Sequence, residues 1–369
     1  MDIKEYLTKC KELQKKILDF IENESDIEEN FQNLQTFLKD NQIKSNKQST
    51  RTLMHLVSRI SNNHYQTPDF MSKIEQILKF FSEEIKNYFS NKEIFHFFKD
   101  NKRVLLFLFN EKILNPDDYI QGIITNDKYS KRFYPEYFYK EFKSFFSEEY
   151  IKKLKQRCPD IELDTYDERR KVGQNDLEIC VLIRNDSIED FIVYLNKTGP
   201  SFKNSTIQSS IYETNPYLLK NQPTLIDYAA FYGSIQIFKY LFLNGTTLAP
   251  SIWFNAVHGQ NPEMISFLQE KYNTPLNYVS LIEEAIKCHH NDITDWVQKN
   301  FLQNNEAVYV NIFYLILKYY NFMYFPEINV NEVIFYNMCK FDYVSLIEIL
   351  LKTTNLKVNT IIIQNILFF

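Results

Sequence analysis

Residues 223–245 read PTLIDYAAFYGSIQIFKYLFLNG, and the fold class turns on this stretch. Ala229 and Ala230 are small enough to let two antiparallel helices approach closely, since the distance between packed helices is set by the side chains at the contact. Gly233 follows, supplying the positive φ that a tight helix-to-helix turn demands. Ile235, Ile237, Phe238, Leu241 and Phe242 then return at helical spacing and form one apolar face. Gly245 closes the unit. The pattern is helix, tight turn, helix.

The same unit recurs in SIWFNAVHGQNPEMISFLQEK (251–271), where Ala256 and Val257 replace the alanine pair and Met264, Ile265 and Leu268 replace the second helix's apolar set. It recurs again in SLIEEAIKCHHNDITDWVQKN (280–300), with Ala285, Ile286, Ile293, Trp296 and Val297 in register. Two unit lengths beyond that, NMCKFDYVSLIEILL (337–351) supplies Met338, Cys339, Leu346, Ile347 and Leu350. The unit skipped between them, around Ile312 to Phe325, is degenerate, and Pro326 is expected to cut its second helix short. Backwards, DLEICVLIRNDSIEDFIVYL (176–195) aligns Ile188 and Phe191 with Ile235 and Phe238, across a long insertion at 196–221. The terminal stretch 360–369 reads as the first helix of a further unit.

A recurring hairpin of this kind resembles the ankyrin repeat. Thr224 takes the first position of that family's pattern, Ile226 the Leu position, Ala229 and Ala230 the alanine pair, and Gly233 the turn, while Leu225 and Asp227 depart from the usual Pro and His. The steps from Ala229 to Ala256 and from Ala256 to Ala285 are shorter than the roughly 33 residues of standard repeats, so the β-turn fingers are expected to be abbreviated or absent. The segments IYETNP (211–216), LIDYAAFYGSIQIFKYL, SIWFNAVHGQNPE, AIKCHHNDI and, near the N-terminus, IFHFFKDNKRVLLFLFNEKIL (94–114) are similar to an ankyrin-like family of unknown function that is expanded in parasitic protists. The resemblance implies an all-α fold, a helical-hairpin solenoid preceded by an N-terminal helical region, and binding to other proteins. It supplies no functional residues.

Helical periodicity also governs the first half. Ile3, Tyr6, Leu7, Cys10, Leu13, Ile17 and Phe20 fall on one face, and Ser25 with Glu28 forms a capping-box pattern ahead of Ile27, Phe31, Leu34 and Leu38. Thr67, Pro68 and Asp69 open a helix whose stripe runs through Phe70, Ile74, Ile77, Leu78, Phe81 and Ile85. Helices follow at about 93–99, 103–114, 117–124 and 135–156. The polar stretch 159–175 is the expected boundary, dividing an N-terminal helical region (1–170) from the repeat domain (171–369).

Composition supports helices and excludes several functions. The 369 residues hold 32 Phe and 25 Tyr but only 6 Gly and 11 Pro, a balance that disfavours a turn-rich β fold. With 42 Lys+Arg against 47 Asp+Glu the net charge is -5, so no nucleic-acid partner is expected. Five widely spaced cysteines without a Cys-x-x-Cys pair give neither a disulfide framework nor a zinc finger, and the charged N-terminal stretch from Met1 to Phe20 lacks a signal-peptide core. The expectation is a cytoplasmic chain. The apolar segments at 312–325 and 360–369 fall short of the roughly 20 residues needed to span a membrane.

The chemistry-bearing residues are few. Cys288, His289, His290 and Asp292 form the only cluster suggestive of a metal, but His289 sits at the turn position and the four straddle a helix end, where neighbouring side chains diverge. Glycine-rich phosphate loops, Gly-x-Ser-x-Gly and His-Glu-x-x-His are all missing, and carboxylate pairs such as Glu283–Glu284 or Asp117–Asp118 are sequence neighbours that point apart. No enzyme and no cofactor is therefore expected. A protein partner would meet the first-helix row on the concave side, at Tyr228 and Phe231, Asn255 and His258, and Glu284 and Lys287. The plainer alternative is that Tyr228 and Phe231 pack beneath the 196–221 insertion. A structural component of a cytoskeletal assembly is the second functional reading, and a metal-dependent enzyme using Cys288, His289 and His290 the third.

Overall fold

The computed structural model describes residues 2–64, 67, 69–130, 132–199, 205–272, 278–301, 306–325 and 332–353. Among them every regular element is a helix, and the only β pairing is one antiparallel bridge between Thr206 and Thr224. The expectations placed on Pro68, Pro326 and 360–369 lie outside the described residues. Contacts gather the chain into two compact units, one drawn from 1–60, 66–84 and 278–369 and the other from 61–65 and 85–277. Residue 170, the expected dividing point, lies inside helix Tyr166–Val172, where Arg170 is buried and donates to the Tyr137 carbonyl and to Glu141.

In the unit containing 85–277, three helix hairpins follow one another. They are Glu178–Arg184 with Ile188–Thr198, Leu225–Phe231 with Ile235–Leu243, and Ile252–Gly259 with Pro262–Lys271. First helices pack on first helices: Leu225–Phe231 lies against both Glu178–Arg184 and Ile252–Gly259. The closest approach is to Ile252–Gly259. A Cβ on Gly259 would stand 2.4 Å from the Ala230 carbonyl oxygen and 2.8 Å from the Gly233 nitrogen. The small residues thus serve the contact between successive hairpins as well as the one within a hairpin.

The other unit holds Tyr278–Cys288 with Asn291–Phe301, then Glu306–Tyr319 with the 3-10 turn Phe322–Tyr324, then Glu332–Lys340 with Val344–Thr353. Helix Ile3–Glu22 packs on Val344–Thr353 and on that 3-10 turn, so the first helix of the chain covers the last hairpins. Gln14, fully buried, donates to Asn321 Oδ1 at 2.9 Å. A second tie comes from helix Lys47–Asn63, whose Arg51 and His55 both reach Asp342 Oδ2, at 2.8 and 2.9 Å.

One turn recurs in both units. At Gly233 (φ 68) the amide bonds to the Ala230 carbonyl, and the next amide, of Ser234, reaches back to Ala229. This pair of bonds closes a helix through a left-handed residue. Asp186 and Ser187 repeat it on Ile183 and Leu182, His289 and His290 on Ile286 and Ala285, Tyr320 and Asn321 on Leu317 and Ile316, and Asp342 and Tyr343 on Cys339 and Met338. Gln260 is left-handed as well. Gly233, Gln260 and His289 follow one another at the same intervals as Ala229, Ala256 and Ala285, the spacings read from the sequence. Those three alanines are fully buried, and Ala229 and Ala285 accept the same bond in their turns.

A second regularity links successive hairpins. The residue just past the left-handed one donates its side chain to the preceding hairpin: Ser234 Oγ to Ile183 O at 2.6 Å, Asn321 Nδ2 to Ile286 O at 3.0 Å, and Tyr343 Oη to Leu317 O at 2.9 Å. Each acceptor lies three positions before the left-handed residue of its own turn. Asn261 Nδ2, just past left-handed Gln260, also reaches the preceding hairpin but at the left-handed residue itself, Gly233 O, at 2.7 Å. The carbonyls of Ile183, Ile286 and Leu317 each accept the amide of their own turn's left-handed residue, and the next hairpin's side chain occupies the second lone pair.

Elsewhere the sequence-based expectations need amendment. Helix Ile27–Asp40 starts from Asp26 in the left-handed region with no side-chain cap, while Ser25 bonds to Asn23 instead of closing a box with Glu28. A capping box does form at Ser90 and Glu93. The stripe from Phe70 to Ile85 is fully buried but bends at Phe81 into two helices, Phe70–Phe80 and Ser82–Tyr88. The span 135–156 breaks into short turns up to Phe145 and then a separate helix, Glu148–Arg157: a straight helix could not turn Tyr134, Tyr137, Phe138, Tyr139 and Phe142 all inward, and broken, it buries all five.

Candidate interaction surface

The row of first-helix residues expected to meet a partner is, for the most part, internal. Tyr228, Phe231, Asn255 and His258 are all buried, and their partners explain why. Tyr217, carried by the short helix Pro216–Asn221 within the 196–221 insertion, stacks on Phe231 with ring centres 5.6 Å apart and meets His258 at 4.3 Å. Phe231 and His258 stack in turn at 4.9 Å. Asn255 Nδ2 donates to Asp227 Oδ1 at 3.1 Å, while the other oxygen of Asp227 completes a capping box with Thr224. Asp227, where the ankyrin pattern has His, both starts its own helix and holds the next one. In the other unit Glu284 and Lys287 are half-buried and pair at 2.7 Å.

Tyr228 opens onto a buried polar centre. Its hydroxyl accepts from Arg184 at 2.8 Å, and the same guanidinium nitrogen donates to the Asn175 carbonyl at 2.7 Å. Glu213, of the IYETNP segment, accepts from the amides of Asn215 (2.8 Å) and Asn175 (3.3 Å). Burial raises its carboxyl pKa above the ordinary range, against the lowering effect of those amides and of Arg184 and Lys102. Burial likewise pushes the Cys180 thiol up to about 12, which keeps it protonated and unreactive. The rest of the segment fastens the insertion to the chain before it: Thr214 donates to the Gly173 carbonyl at 2.6 Å, and Ile211 O accepts from Lys102 Nζ at 2.9 Å.

Lys102 is fully buried, donates also to Arg132 O at 3.2 Å, and lies over the Tyr137 ring at 4.8 Å. Burial draws its pKa down to about 7 despite the opposing charges of Glu213 and Glu136. Every ligand of this amine is a carbonyl or a ring of the chain itself, which makes it a tie between loops. Nothing in the sequence marked Lys102 or Glu213 for this role. Each is an ordinary charged residue until long-range packing buries it.

Cys288, His289 and His290 do not bring three ligand atoms together. Cys288 ends a helix with its thiol pKa well above the ordinary value through burial, His289 is the left-handed turn residue, and His290 leads into the next helix. Consecutive residues across such a turn send their side chains in different directions.

Some exposed apolar side chains of the 85–277 unit belong to its hairpins, while Tyr119, Phe145, Leu163 and Val172 are exposed elsewhere in it. Leu243 is 80% exposed and Val193 50%, with Leu177 and Val181 also open to solvent. No protein-family model, curated protein or solved structure matches the chain. No helix among the described residues is long and apolar enough to cross a membrane.

Proposed function

We propose that the chain is a non-catalytic protein-binding module built as an ankyrin-like array of helix hairpins, with its docking face on the outer side of the hairpins between 177 and 271. The observation carrying this reading is the exposure of Leu177, Val181, Val193 and Leu243 on consecutive hairpins that are themselves tied together through buried polar contacts. Apolar side chains held at fixed spacing on a stiff support are suited to anchor a partner, because little freedom is lost when they bind. The inner row from Tyr228 to His258 contributes by fixing that support, and Glu284 and Lys287 are the members of the row left at a surface.

Photo-crosslinking tests the reading. With a diazirine side chain at position 193 or 243 of the protein in its own cells, both positions should yield the same discrete adduct, and Val181→Asp should reduce it at least about tenfold, the loss of one buried anchor. Adducts that differ between the two positions, or that survive Val181→Asp unchanged, would sink the proposal.

A further inference from the structure

A cluster in the 85–277 unit stands apart from the hairpins. Helix Asn91–Phe98 and its C-cap place Lys92, His96 and Lys99 at spacings of four and three, hence on one face. Facing them is Tyr119, in the first turn of helix Asp118–Ile124 and 40% exposed. His96 Nε2 lies 2.6 Å from Tyr119 Oη, Lys92 Nζ is 5.0 Å from the centre of the Tyr119 ring, and Lys99 Nζ is 3.5 Å from His96 Nδ1.

Neither ammonium has a carboxylate partner among the described residues. Most nearby acids are engaged elsewhere: Asp117 caps its own helix and accepts from Asn91, Glu93 closes the box on Ser90, and Asp100 pairs with Arg132. Asp118 is exposed in the first turn of the tyrosine's helix. Burial, and then the charges of Lys99 and Lys92, hold the His96 pKa below its ordinary value, so the imidazole is neutral at pH 7. The result is a solvent-reachable phenol ringed by two uncompensated positive charges and a third group able to gain one.

We propose that Tyr119 is a phosphorylation site whose phosphate is received by Lys92, His96 and Lys99. The donor is a nucleoside triphosphate delivered by a tyrosine-directed kinase. The phenolic O–H and the bridge from the γ-phosphorus to the β-phosphate break, the Oη–P bond forms, and a nucleoside diphosphate and a proton leave. The ester carries about −1.5 to −2 charges at pH 7 and three acceptor oxygens, which matches two ammoniums and an imidazolium. The modification locks helix Asn91–Phe98 to helix Asp118–Ile124 by charge.

Two measurements decide it. Mass spectrometry of the protein from its own cells, with phosphatases blocked, should find phosphate on Tyr119. In protein carrying phosphotyrosine at 119 by semisynthesis, phosphorus NMR should give a second phosphate pKa lower by about 1 than the ~6 of a free phosphotyrosine peptide, while the His96 pKa rises. Lys92→Gln with Lys99→Gln should return the phosphate to the peptide value. A phosphate that titrates as it does in the peptide overturns the proposal. So does a Tyr119 found only unmodified, including the case where inorganic phosphate binds saturably at the same three side chains.

Discussion

The hairpins from Glu178 onward and the helices up to Arg157 solve one problem by different means. Both hold buried carbonyls with a side chain donated from a distant part of the chain. In the hairpins the donor is a small or uncharged side chain at one fixed position after the turn, as at Ser234, Asn321 and Tyr343. In the leading helices it is one of two buried cations at positions that do not recur. Lys73 Nζ, fully buried, holds the carbonyls of Ile21 and Asn23 at 2.9 and 2.8 Å, and Lys102 holds those of Arg132 and Ile211. A periodic solution can be copied from hairpin to hairpin; a buried ammonium is costly to desolvate and fits one place only. The difference accounts for a repeat visible in one half of the sequence and invisible in the other.

The sharpest way to break the periodic half is to deny two hairpins their approach. Gly259→Leu places a side chain where its Cβ alone would meet the Ala230 carbonyl oxygen at 2.4 Å, and backbone cannot move aside as a flexible side chain can. The expected loss is about 3 kcal/mol or more, at the upper end for overpacking, read as a fall in the urea midpoint. Gly122→Leu, at a glycine with nothing within 4 Å of its added Cβ, should cost far less. Equal losses would mean that the hairpins do not depend on that contact.

Next in size is Asn321→Ala. It removes the donor to Ile286 O and the acceptor of Gln14 Nε2, both fully buried, leaving two polar groups without this partner. Ile286 O keeps the His289 amide, so about 1–3 kcal/mol should be lost, the cost of one buried group deprived of its partner. Hydrogen exchange should show helix Ile3–Glu22 loosening together with Tyr278–Cys288, since Asn321 serves both. Loosening of one alone would uncouple the first helix from the hairpins.

These two positions also mark how far the sequence could be read. Gly259 stands in a segment whose periodicity was plain, and the alanine positions and turn spacings were legible because they are local. The turns themselves were only half legible. Gly233 declares its left-handed backbone, but Asp186, Gln260, His289, Tyr320 and Asp342 adopt the same conformation with side chains that carry no such signal. Ser25–Glu28 and Ser90–Glu93 spell the same capping motif and only the second forms one, since tertiary contacts decide between rival partners. Gln14 meeting Asn321, or Arg51 and His55 meeting Asp342, lies beyond any periodicity. The burial of Phe231 and His258 in the expected partner row was hidden for the same reason: Tyr217, which covers them, comes from an insertion that the repeat pattern leaves blank.

The tie at Asp342 gives a pH test of intermediate size. Burial holds the His55 pKa below its ordinary 6.5, although Asp342 opposes the shift. A histidine depressed in the folded state destabilises the fold as pH falls, because the unfolded chain takes up the proton first. Stability of the unit that holds helices Lys47–Asn63 and Val344–Thr353 should therefore decline as pH drops through 6.5, and His55→Phe should flatten that step. The Asp342 carboxyl behaves oppositely at lower pH. Although burial raises it, the bonds and charges of His55 and Arg51 outweigh burial and hold it below 3.8. Its contribution is present above 3.8 and fades as pH falls through the lowered value. Thermal melts from about pH 8 to about pH 3 separate the two steps, and a His55→Phe profile identical to that of the unaltered chain would remove His55 from the account.

The smallest effect carries the comparison into the leading helices. Lys112 follows helix Lys102–Asn110 with φ 53, its amide bonded to Phe109 O and the next amide, of Ile113, to Leu108 O. That is the hairpin turn again, in a region where no repeat can be read. A non-glycine residue held left-handed stores roughly 1 kcal/mol of strain, and glycine relieves it at some cost in unfolded-state entropy. Lys112→Gly should thus stabilise by about 0.5 kcal/mol, whereas Gly233→Ala, at φ 68 with an added Cβ 3.1 Å from Gly259 O, should destabilise by about 1–2 kcal/mol. If Lys112→Gly instead destabilises, its turn is held by its side chain and not by backbone geometry, and the likeness between the two halves would stop at the hydrogen-bond pattern.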